Sequence, residues 1–228
     1  METAHKKFLK RVENLENEKD SVVKKNQELE QEVVELAEEK EQLIQGSDLI
    51  GQLNEHVRNG LPETELRVLT NSINAAPALV KSQNFDISKE LRSLSSRTAA
   101  MQPRTQRTIP IFETLVDSEP TNHEYHAQLA FALKDGIQPE FSKALSHIDR
   151  AINLRGKLKT GDDWKYELNR AVIQMQEKQK NTGSFVSSPN ERDQILRDLL
   201  TVSKKRDLAE ILADAKRNNI DTPIVDWL

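Results

Sequence analysis

The first 45 residues contain no Gly and no Pro, and a repeat of seven runs through all of them. At d positions stand Phe8, Leu15, Val22, Leu29, Leu36 and Leu43, every one apolar. At a positions stand His5, Val12, Lys19, Asn26, Val33 and Lys40, most of them polar. A strict seven-residue repeat keeps one seam on a partner only if the helix supercoils left-handedly. Residues 1–45 therefore read as a coiled-coil oligomerisation helix, a rod of roughly 60 Å at about 1.5 Å per residue.

The a positions choose the partner. Asn26 can pair with its own equivalent across a parallel two-fold, and Lys19 and Lys40 can snorkel out of a dimer seam. The g-to-e′ pairs Arg11–Glu16 and Lys25–Glu30 attract in that arrangement. A parallel homodimer through residues 5–44 is the expectation. The apolar e positions Val23, Ala37 and Ile44, with Leu9, widen the stripe and keep a trimer, tetramer or hetero-oligomer open. A core-facing intramolecular helix would not keep Lys19, Asn26 and Lys40 on its seam. A basic-region zipper needs more than the KKFLKR that precedes the heptads.

The rod carries 8 basic and 12 acidic side chains, which is the whole net charge of -4, so residues 46–228 are neutral. Gly46-Ser47 reads as the end of the rod, with Ser47 capping the next helix. Short helices are expected near 48–59 with Gly60 closing it, 62–74 from Pro62, 87–101 from Asp86, 109–118 and 122–135. Others follow near 139–155 with Gly156 closing it, 162–179, 190–203 and 206–218. No run of alternating β-branched residues suggests a sheet. The fold class is all-α, with a helical segment and basic linker over 46–108 and a helical domain over 109–228.

Seven of the ten aromatics lie between Phe112 and Phe185 and mark the expected core. Within it Tyr125, Leu129, Ala132 and Leu133 recur 39 residues later as Trp164, Leu168, Ala171 and Val172. Leu129, Ala130 and Leu133, then Ala144, Ile148 and Ala151, form two helix faces that resemble the first and second helices of a tetratricopeptide repeat. IFETLVDSEPTN before them is similar to a preceding second helix ending at Pro120. The resemblance covers roughly 109–178, though the period exceeds that family's 34 and the turn KDGIQPE is longer. It implies stacked helix pairs whose groove binds a partner segment. In the family's carboxylate-clamp domains, a Lys and an Asn four apart hold a partner's C-terminus. The resemblance places such a pair at Lys165 and Asn169.

The chain has no Cys, so thiolate metal sites, disulfides and a Cys nucleophile are excluded. No phosphate-loop glycine pattern occurs. His123-Glu124-Tyr125-His126 lacks the spacing and third ligand of a zinc site. His56 and His147 sit alone in charged helices and read as surface residues. Asp162-Asp163 suit a helix N-terminus better than acid–base work. No enzyme constellation, cofactor site or metal site is expected. Lys89, Arg92, Arg97, Arg104 and Arg107 face only Glu90 over 89–109 and could hold phosphates, though no aromatic interleaves them for base stacking. The terminal Trp227-Leu228 could pack internally or insert into a partner's groove.

With no apolar run near the length of a membrane span and no leader-like h-region, a cytoplasmic location is expected. The expected function is a non-catalytic adaptor or scaffold with a protein partner. The alternative is a nucleic-acid-associated regulator using the basic segment.

Overall fold

The computed structural model describes residues 2–75, 87–94, 101–158, 164–183 and 188–217. Among these, every regular element is a helix, so the chain is all-α. In chain order the helices are α1 Glu2–Asn59, α2 Glu63–Ala75, α3 Ile87–Leu94, α4 Gln102–Ser118 and α5 His123–Asp135. They continue with α6 Phe141–Leu158, α7 Lys165–Thr182, α8 Pro189–Ser203 and α9 Leu208–Arg217. The chain divides into two compact units, 1–48 and 49–228.

Gly46-Ser47 does not end the first helix, contrary to the sequence expectation: α1 runs unbroken through both residues to Asn59. A Gly in a helix interior costs about 1 kcal/mol. Three residues after Gly46 the compensation begins, because Leu49, Leu53 and Val57 sit on one face and are buried. Their burial stabilises helix where local propensity is weakest. The expected stop at Gly60 does hold. Its φ of 82° is left-handed, and its N–H donates to the His56 carbonyl at 2.8 Å.

In the second unit one core cluster runs from Leu49 and Val57 through Leu69, Ile73 and Leu91 to Ile111, Leu133, Ile148 and Ile173. It crosses residue 109, which lies inside α4 rather than at an element boundary. The basic stretch before it is therefore not wholly a linker. α4 begins at Gln102 because Pro103 occupies its first turn, and the Thr105 and Thr108 hydroxyls bond back to the Met101 and Thr105 carbonyls. From α4 to α8 each helix packs on the next, and α2 and α3 also rest on α4. A second cluster joins Leu168, Ala171 and Met175 of α7 to Ile195, Leu199 and Val202 of α8.

Caps set several ends. Asn122 accepts the N–H groups of Glu124 and Tyr125 at the start of α5. Ser188 and Glu191 form a reciprocal capping box on α8. Gly183, at φ 68°, closes α7. Gly156 was the expected stop of α6, but that helix continues to Leu158. Nothing lies within 4 Å of where a Gly156 Cβ would stand.

The two glycines make opposite predictions. Gly156→Ala should raise stability by about 1 kcal/mol, since Ala is the better helix former. Gly60→Ala should lower it by about 1 kcal/mol, since Cβ strains a left-handed residue and meets Arg107 Nε at 3.3 Å. Denaturant unfolding of the full chain measures both, and equal signs would contradict the assigned ends.

Candidate functional site

Along the seam of α1, large apolar side chains stand open to solvent. Phe8, Val22, Leu29, Val33 and Leu36 are between 48% and 64% exposed, and Lys19, Asn26 and Lys40 share the same row of heptad positions. Leu9, Val23, Val34 and Ile44 beside them are exposed as well. The side chains of Val12, Leu15 and Leu43 lie outside the described set. The last turns of α1 differ: Leu49, Leu53 and Val57 lie in the core of the second unit.

The basic segment is put to a different use from the one expected. Arg107 Nη1 donates to the Val57 and Arg58 carbonyls at 3.2 and 2.6 Å. It thus satisfies carbonyls at the C-terminus of α1 that no helical N–H reaches, where a cation also favours the helix dipole. Beside it His56 is buried. Its Nε2 lies 2.9 Å from the Arg107 carbonyl, and its Nδ1 accepts the Leu61 N–H at 3.2 Å. A carbonyl only accepts, so Nε2 carries the proton and the ring is the neutral tautomer. His56 is thus no surface residue; it clamps α1 to α4. Arg104 is half-buried and Arg92 exposed. Arg97 and the Lys89 side chain lie outside the described residues.

The clamp expected from Lys165 and Asn169 is not presented. Lys165 is exposed, but Asn169 is 1% exposed and its amide donates to the Lys165 carbonyl at 2.8 Å. Asn169 serves its own helix. Trp227 and Leu228, like Asp162 and Asp163, lie outside the described residues.

Around α6–α8 the interior is held by charge. Arg170 donates to Asp198 at 2.8 and 2.6 Å and to Asp149 at 2.9 Å, while Gln194 donates to Asp198 at 3.0 Å. Burial pushes the Asp198 carboxyl up, and its hydrogen bonds from Arg170 and Gln194 offset part of that. Arg155 grips both carboxylate oxygens of Glu167 and lies 5.2 Å over the Tyr166 ring.

The histidines of the HEYH stretch part company. His123 meets the Tyr166 hydroxyl at 2.9 Å through Nδ1. His126 is buried, with Nε2 at 3.1 Å from the Pro120 carbonyl and Nδ1 at 3.0 Å from His147 Nδ1. His147 is accordingly half-buried against α5 and not a surface residue. Burial lowers the pKa of both His126 and His147; Arg150 adds to this at His126, and the His126 charge and Lys143 add to it at His147. Among the described residues no group of three or more His, Asp or Glu is placed to hold a metal ion. No described helix is long and apolar enough to cross a membrane.

A groove of about 480 Å³ opens between the last turns of α1 and α2, lined by Gly51, Gln52, Glu55, Leu61, Glu65 and Val68. Comparison with known proteins finds no matching family, no similar curated protein and no similar solved structure.

Burial also lowers His56, so three histidines share one direction. Each favours the neutral ring in the fold. Its contribution to stability is complete above the ordinary value of 6.5 and is lost as pH falls through the lowered folded value. The Tm of the full chain should therefore fall between about pH 7.5 and about pH 5. A Tm that rose over this interval would contradict the assigned neutral rings.

Proposed function

We propose that the protein is a non-catalytic adaptor: a parallel coiled-coil homodimer whose tetratricopeptide-like helical unit binds a segment of a protein partner. The observation that carries this reading is the exposed seam at Phe8, Val22, Leu29, Val33 and Leu36. Large aliphatics repeated at d along a charged helix are favourable only when a second helix covers them. Asn26 and the two seam lysines favour two strands in parallel register.

Support for the repeat-like unit comes from its small residues. Ala130, Ala144, Ala151 and Ala171 are wholly buried, where α5, α6 and α7 pack in chain order. Close approach at alanines is what stacked helix pairs need. A second copy brought alongside by the coiled coil would raise apparent affinity through effective concentration, by about 100-fold or more on a multivalent partner. Arg107 is occupied by α1, which weighs against a phosphate-binding arm and for the adaptor.

Sedimentation equilibrium of the full chain tests the dimer. The wild type should sediment as two chains. Leu29→Lys with Leu36→Lys should give one chain, while the near-UV signal of the 49–228 unit is kept. A wild type that stays monomeric at about 100 μM, an effective concentration short linkers readily exceed, would refute the dimer. Asn26→Ile should raise the Tm of the assembly and loosen its order, giving species larger than two chains. An unchanged dimer of lower Tm would show that Asn26 does not lie in the seam.

A further inference from the structure

In the helical unit His126 of α5 lies against His147 of α6. Their Nδ1 atoms are 3.0 Å apart and their rings stack with centroids 5.3 Å apart. A hydrogen bond between two ring nitrogens needs one proton between them and one lone pair. Pro120 fixes which ring supplies which. Its carbonyl can only accept, so His126 Nε2 carries a proton at 3.1 Å. A neutral His126 then has a bare Nδ1, and His147 must donate its Nδ1–H to it.

Successive protons act differently on this pair. The first can settle on the outer Nε2 of His147. All existing hydrogen bonds survive, because Nδ1–H still points at the lone pair of His126. The Asp117 carboxylate of α4 favours a charge at His147. The second proton has only His126 Nδ1 to go to. Two N–H groups would then oppose each other at 3.0 Å, and two imidazolium charges would face each other. Lys143 and Arg150 of α6 add like charge, against which the Asp117 carboxylate of α4 acts at His147. The second proton therefore requires the rings to separate. These rings lie in the most extensive helix–helix interface of the unit, α5 on α6.

We propose that the His126–His147 pair is an acid-operated switch that holds α5 on α6 while it carries at most one proton and releases them when it takes a second. The device differs from simple acid instability because it is local and stepwise. His56, which clamps α1 to α4, titrates elsewhere and reports on other helices. The switch does not depend on the adaptor reading.

Full-chain protein with labelled histidines, followed by NMR through falling pH, tests it directly. His147 should protonate first with the α5 and α6 amides undisturbed. Once His126 titrates, the protection factors of α5 and α6 should drop together by about tenfold per pH unit, one further proton being taken up on opening. Those of α8 should hold. His147→Gln separates this from a merely structural role. A glutamine amide donates to a neutral His126 and, turned over, accepts from a protonated one. In that variant the acid-triggered loss from α5 and α6 should vanish. Protection that stays flat in the wild type while both rings protonate would overturn the proposal, as would a His147→Gln protein that opens like the wild type.

Discussion

The burial of Leu49, Leu53 and Val57 is the constraint on which most of the architecture rests. Without it Gly46, Ser47 and Gly51 would end α1 early, since each is a weak helix former and two are glycines. Once these three side chains are in the core, the end of α1 is fixed in space, and its terminal carbonyls must be satisfied there. Arg107 does so, donating hydrogen bonds to the Val57 and Arg58 carbonyls, and His56 donates back to the Arg107 carbonyl across the same contact. The position of α4 follows from that exchange, and α2, α3 and α5 pack against α4.

Part of this was legible in the sequence. Period carries far, so the seam of α1 can be written down from residues 5–44 alone. Caps also act over three or four residues, which is why Gly60 and Asn122 mark true ends. What escaped is whatever a distant element decides. Gly46-Ser47 and Gly156 carry stop signals of the same local strength as Gly60, and the difference lies in what the following turn buries. Arg107 looked like one of five free cations because its acceptors lie about fifty positions earlier in the chain. His147 looked solitary because its partner lies 21 residues away on another helix. Asn169 has the right spacing from Lys165 for a clamp, but that spacing is equally right for an amide bonded to the carbonyl one turn back, and burial selects the second.

The interior of the helical unit also shows how few ways a chain with little aromatic material has to fasten helices. Aliphatics fill the centre, but between α6, α7 and α8 the fixed contacts are Arg170 with Asp198 and Asp149, and Arg155 with Glu167. The buried pairs among these, Arg170–Asp198 and Arg155–Glu167, add little net stability over an apolar replacement, because desolvation consumes most of the attraction. Their effect is on register. A guanidinium forked onto two carboxylates has one good geometry, whereas leucines on sliding helices have several. The unit thus gains definition where stacking of small residues alone would leave α7 free to shift.

That definition contrasts with the first 48 residues. There the described seam side chains remain about half exposed, and several a positions hold residues, Lys19, Asn26 and Lys40, that weaken a seam. Isolated helices gain little from propensity in water, and tertiary or quaternary packing supplies the rest. A seam that carries Lys19, Asn26 and Lys40 among its apolar residues gives up affinity for the sake of choosing among partners. Such a choice has value where several coiled coils compete and the wrong pairing must be avoided. It has none for a helix that simply covers its own core. On the adaptor reading proposed above, the polar seam makes α1 a surface that selects its partner, while the buried turns from Leu49 to Val57 are the part of the same helix that serves the fold.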